Sequence, residues 1–148
     1  MIEQRITKFE IAERQLLVAI EMFIARNPIP ALTLAGAAEE ILGKLVKKLG
    51  GTNALEEDIN DSCELSETVF GDRGNSKEFA DLMNAPRNEL KHLMSGEAIE
   101  FDLEEAAINL ISRAIINFEK LRPGPNVAFQ NFETQASAWY RLKQVRNS

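Results

Sequence analysis

Residues 102–121 read DLEEAAINLISRAIINFEKL, and this stretch decides the fold class. Leu103, Ala107, Leu110, Ile111, Ala114, Ile115, Phe118 and Leu121 recur at three- and four-residue steps, which gathers them on one face of a helix. Asp102-Leu103-Glu104-Glu105 has the spacing of a capping box and predicts the helix start. Arg122-Pro123-Gly124-Pro125-Asn126 is the strongest breaker in the chain and predicts its end.

The same period recurs on both sides. Upstream, Ile6, Phe9, Leu16, Leu17, Ile20, Phe23 and Ile24 form a first stripe, stopped at Asn27-Pro28-Ile29-Pro30. A second helix is expected over residues 31–49, with Leu34, Ala38, Ile41, Leu42, Leu45 and Leu49 as its apolar face. Its small residues Ala35, Gly36, Ala37 and Ala38 permit close approach, and Gly50-Gly51 ends it. Residues 52–71 are acidic and weakly patterned; Leu55, Ile59, Leu65 and Val69 suit one short helix or two. Asn75 and Glu78 have capping-box spacing before Phe79, Leu82 and Met83. Asn84-Ala85-Pro86 predicts a break, with a new helix opening at Pro86, since proline is welcome in a first turn. Leu90, Leu93 and Met94 would be its core face, Ser95-Gly96 its end, and residues 97–101 a connector.

Beyond Pro125 a last amphipathic helix, about residues 127–145, carries Phe129, Phe132, Trp139 and Tyr140. No strand-like alternation appears. The expected architecture is an all-α bundle of five to seven helices. Residues 1–122 form the bundle, and residues 123–148 a C-terminal helical arm packed on the same domain or on a partner subunit.

Composition narrows the chemistry. A length of 148 residues suits one domain with an ordinary core. A single cysteine, Cys63, excludes an internal disulfide framework, and a single histidine, His92, excludes any site needing two histidines from one chain. Seventeen basic against twenty-three acidic residues give a net charge of −6, unlike the basic footprint of a generic polyanion binder. The N-terminus lacks the pattern of a secretory signal and no apolar run reaches membrane-spanning length, so a cytoplasmic setting is expected, with no membrane partner.

The one segment with a chemical signature is Arg87-Asn88-Glu89-Leu90-Lys91-His92. A helix opening at Pro86 would aim unpaired N–H groups at an anion, and Arg87 adds forked donors suited to phosphate oxygens. Asn88 and His92 lie four apart and share a face. Near a helix start the dipole favours a neutral imidazole able to accept a proton. Arg87 lies five residues from His92, about 140° away around the helix, so the two converge only with a first-turn distortion or a second subunit.

In these six residues the sequence resembles the HEPN superfamily of small helical bundles, whose hallmark is R-x4–6-H with a polar residue after the arginine. The resemblance covers most of residues 1–121 in architecture and six residues in motif. It implies a homodimer that binds RNA or cleaves it without metal, with no cofactor. His92 would be general base or acid for the ribose 2′-hydroxyl, Arg87 would stabilise charge on phosphorus, and Asn88 would position substrate or histidine. Many members act as toxins beside an antitoxin, so an antitoxin or other protein partner is also implied.

Other features have plainer readings. Lys44, Lys47 and Lys48 suit a helix C-terminus. Glu39 and Glu40, being adjacent, point to different faces; Glu40 lies nearer the apolar edge, where burial against Arg87 or His92 is the alternative to a solvated or boundary carboxylate, the plainer reading. Glu56, Glu57, Asp58 and Asp61 lack the spacing of a calcium loop. Cys63 reads as a small buried or half-buried residue. The Phe129/Phe132/Trp139/Tyr140 stripe reads as core or dimer contact before a base-stacking surface. The rival to the RNA reading is a non-enzymatic helical interaction or dimerisation module, with the last helix packed on its partner.

Overall fold

Thr7 starts the first helix by a reciprocal cap. Its hydroxyl accepts the Glu10 N–H at 3.1 Å, and the Glu10 carboxylate accepts the Thr7 N–H at 2.7 Å. This computed structural model describes residues 3–92, 98 and 100–148, and among them it contains six α-helices and no strand. In order they are α1 (Lys8–Ile24), α2 (Pro28–Lys48), α3 (Ala54–Phe70), α4 (Ser76–His92), α5 (Leu103–Leu121) and α6 (Val127–Arg146). The protein is an all-α helical bundle.

The centre is α2, packed along α1 on one side and α5 on the other. Ala31, Ala35, Gly36, Ala38 and Gly43 are all buried on it, and their small side chains let the neighbouring backbones come close. Leu42 of α2, Leu16 and Ile20 of α1, and Ile111 of α5 fill the space between. The first turns of α6 close one end: Phe129 and Phe132 are buried, Phe129 edge-on to Phe118 and Phe132 edge-on to Phe23. Two of the four C-terminal aromatics are therefore core. Trp139 packs partly against it and donates from Nε1 to Glu104 at 2.7 Å, while Tyr140 is exposed.

Two expectations change and one is narrowed. First, α2 begins at Pro28, not after Pro30: both prolines sit in the first turn, where no intrahelical N–H is required. Second, residues 54–70 form one helix. Asn53 caps it by accepting the Glu56 N–H at 3.0 Å, and Gly71 ends it in the left-handed region (φ 76°). Its buried residues are Ala54 and Cys63, whereas Leu65 and Val69 face solvent.

Third, Pro86 does not start a helix. It lies inside α4, which runs unbroken from Ser76, with Asn75 Oδ1 accepting the Lys77 N–H at 2.9 Å. An internal proline costs about 3 kcal/mol. Tertiary ties override that local signal: Asn84 and Arg87, on either side of Pro86, bind α5 and α2 respectively. Leu93, Met94 and Ser95-Gly96 lie outside the described residues.

A buried amide joins the bundle to α3. Asn117 on α5 is fully buried, and its Oδ1 accepts the Ala54 N–H at 2.8 Å. Gly43 makes the room: a Cβ there would meet Asn53 Nδ2 at 3.3 Å and Asn117 Nδ2 at 3.4 Å. Asn117→Ala leaves a buried N–H unpaired and should lower stability by about 1–3 kcal/mol. Urea unfolding measures this; an unchanged midpoint would show that the contact contributes nothing net.

Candidate functional site

The residues singled out in the sequence all lie on the last two turns of α4, but facing different ways. Arg87 turns inward over α2. Its stem crosses Gly36 so closely that a Cβ there would sit 2.8 Å from Arg87 Cγ and 2.9 Å from Cδ. Its Nη1 lies 3.5 Å from Glu39 Oε2 and 3.8 Å from Glu40 Oε2. His92 is exposed at the other edge of the helix, and Asn88 is half-buried between. At about 100° per residue, the order around the helix is Arg87, Lys91, Asn88, His92, a continuous polar arc of about 140°. Within one chain, then, Arg87 and His92 do not converge.

No helix start stands at Arg87 to aim unpaired N–H groups at an anion. With Pro86 internal, the backbone around Arg87 belongs to the helix interior rather than to a first turn, and His92 lies in the last turn of α4. The expectation that rested on a helix start at this histidine therefore does not apply.

Glu39 is what the sequence reading missed. Glu40 is solvated, as its plainer reading has it, and pairs with Lys44 at 2.9 Å, whereas its neighbour Glu39 is the buried carboxylate. Glu39 is only 4% exposed, and besides Arg87 it meets Arg113 of α5, its Oε1 3.6 Å from Arg113 Nε. Arg113 is 5% exposed and donates from Nη2 to Asn84 Oδ1 at 3.3 Å. One carboxylate on α2 thus lies between guanidiniums from α4 and α5. The signal for this was Arg113, a charge set beside Leu110, Ile111 and Ala114 in the most regular apolar helix of the chain.

Burial dominates the electrostatics of this cluster. It raises Glu39 above the usual carboxylate range, against the lowering influence of Arg113 and then Arg87. Burial likewise lowers Arg113, with Glu39 and Asp58 opposing. Asp58 of α3 is also raised by burial, in spite of Arg113. Glu40 shifts the other way, held low chiefly by its hydrogen bond from Lys44.

Two openings flank the cluster. A groove of about 270 Å³ between α2 and α4 is lined by Thr33, Gly36, Glu40, Arg87, Leu90 and Lys91, and so presents two cations of the polar arc. On the far side, an opening of about 490 Å³ between α3 and α5 holds Asp58, Asp61, Ser62, Ser112 and Arg113. Among the described residues no three His, Cys, Asp or Glu side chains group so as to hold a metal ion, and no helix is long and apolar enough to cross a membrane. No known protein family, curated protein or solved structure matches the chain.

The raised Glu39 makes a pH prediction. The folded protein keeps this proton at pH values where the unfolded chain has already lost it. Stability from this group is therefore lost as pH rises from about 4.3 through the folded-state value. Glu39→Gln removes that slope. The stability of the variant relative to the native protein should then increase between pH 4 and pH 7 in urea titrations. A difference that is flat, or that runs the other way, would mean that the two guanidiniums outweigh burial.

Proposed function

We propose that the protein is a HEPN-like RNA-binding module, and as a dimer a metal-independent endoribonuclease, working in the cytoplasm. The observation that carries this reading is the polar arc on α4: Arg87, Lys91, Asn88 and His92 run side by side, with Arg87 fixed beside an open groove by two carboxylates. A phosphate lying in the groove would meet Arg87 and Lys91, with Asn88 and His92 on its flank. The arc is too wide for Arg87 and His92 of one chain to grip one phosphorus, so the reading calls for a second copy that supplies the complementary half.

In this scheme the ribose 2′-oxygen attacks the adjacent phosphorus and the 5′-oxygen leaves, giving a 2′,3′-cyclic phosphate and a free 5′-hydroxyl. His92 takes the 2′-proton or gives one to the leaving oxygen. Arg87 neutralises the charge that builds on the phosphoryl oxygens, and Asn88 holds the substrate or the imidazole. A toxin-type role beside an antitoxin belongs to the same reading.

The overall acidity of the chain is less of an obstacle than it looked. Between Ala54 and Leu82 there are nine acids and two bases, whereas the rest of the chain has fourteen acids and fifteen bases. The negative excess thus sits on α3 and the first half of α4, away from the arc, and leaves the remaining surface near neutrality for phosphate contacts.

The test is cleavage of single-stranded RNA in EDTA with end-group analysis of the products. We expect cyclic phosphate ends, a loss of about 10²–10⁴-fold in His92→Ala, and a loss of about 10²–10³-fold in Arg87→Ala. Gly36→Ala should leave the fold intact but push Arg87 aside, costing about 10²-fold, as small misplacements do. Full activity in both His92→Ala and Arg87→Ala would overturn the mechanism, and RNA neither bound nor cut would overturn the reading itself.

A further inference from the structure

The charge count has a geometric counterpart. The ends of α3 and α4 around residues 71–75 form a hairpin that stands clear of the core: α4 has no buried residue, and α3 has none beyond Cys63. On it Leu65, Val69, Phe70 and Leu82 are exposed, Phe70 by 80% and Leu82 by 73%. Lone exposed apolar residues need no explanation, but Leu65 and Val69, four apart, share one face of α3. Around them Asp61, Glu64 and Glu78 hold no ion pair among the described residues, whereas Glu67 and Asp81 are paired with Arg73 and Lys77.

The last turns of α6 are the inverse. From residue 134 onward the chain has no acid, and Leu142 and Val145 are exposed, Val145 by 72%. Lys143 is bound to Glu105 and Asp102, but Arg141 and Arg146 meet no carboxylate among the described residues. No hydrogen bond, ion pair or ring contact among those residues joins α6 to α3 or α4. One chain therefore carries two exposed apolar faces, one beside carboxylates and the other beside guanidiniums that hold no ion pair among the described residues.

We propose that the α3–α4 hairpin docks on the C-terminal turns of α6 of a second copy of this chain. Leu142 and Val145 would seat against Leu65 and Val69, while Arg141 and Arg146 face Asp61, Glu64 and Glu78. Apolar contact supplies the affinity, and the opposed charges supply orientation and a salt-dependent on-rate. The contact joins unlike surfaces, so it closes into a dimer only if made twice about a two-fold axis; otherwise it extends. The proposal rests on surface charge and exposure alone and stands whether or not the protein acts on RNA.

Sedimentation equilibrium of the full chain at low and high salt tests it. We expect association that weakens as salt rises, and at least about tenfold weaker association in Arg141→Glu/Arg146→Glu and in Glu64→Lys/Glu78→Lys. All four positions are exposed, so both variants should keep the native helical circular dichroism. Mixing the two variants brings a basic hairpin to an acidic α6 end and should restore a complex that neither forms alone. A monomer at every concentration and salt, association untouched by both variants, or a mixture that stays apart would each overturn the proposal.

Discussion

The buried carboxylate of Glu39 organises this molecule. It stands on the central helix of the bundle and faces guanidiniums from two others, Arg113 on α5 and Arg87 on α4. The cluster is costly, since burial shifts Glu39 and Arg113 each towards its neutral form. What it provides is position. No residue of α4 is buried, so hydrophobic contact alone holds that helix weakly, through the half-buried Leu90 and its neighbours. The charged tie and the Arg113–Asn84 hydrogen bond fix α4 against α2 and α5, on both sides of a proline that would otherwise end it.

Position then becomes chemistry. Because Arg87 is drawn inward across Gly36, the rest of the polar arc is turned outward, with Lys91 at the groove and His92 at the free edge. In the proposed RNA-binding role, a site built this way would be half a site. A carboxylate that immobilises an arginine also shares its charge, so Arg87 would meet a phosphate already oriented but partly neutralised. The unspent positive charge on this side of the molecule comes from Lys91 and from the near-neutral balance of the surface outside the α3–α4 hairpin.

Much of the fold was legible in the sequence because it rests on periodicity. The α5 stripe, the Asp102 and Asn75 caps, and the Gly50 stop all follow from local rules, and the structure bears them out. The failures share one cause. Pro86 is a local break signal overridden by contacts to two other helices. The spacing of Leu65 and Val69 suits a helix, as found, but spacing cannot tell a buried stripe from an exposed one on a projecting hairpin. Glu39 and Glu40 were ranked by helical angle, which does not register that an arginine on α5 waits opposite the first. Long-range partners decide each of these cases, and no local pattern encodes them. The 140° between Arg87 and His92 follows from their spacing alone; which of them turns inward is decided by Glu39 on another helix.

The measurement that reaches this account most directly is amide hydrogen exchange in the Glu39→Met/Arg113→Met double variant, which removes the buried charges while keeping side-chain bulk. If the cluster anchors α4, amides between Ser76 and His92 lose protection while those of α1, α2 and α5 keep theirs. Unchanged protection across α4 would contradict it, and would mean that packing alone holds the helix that carries Arg87, Asn88 and His92.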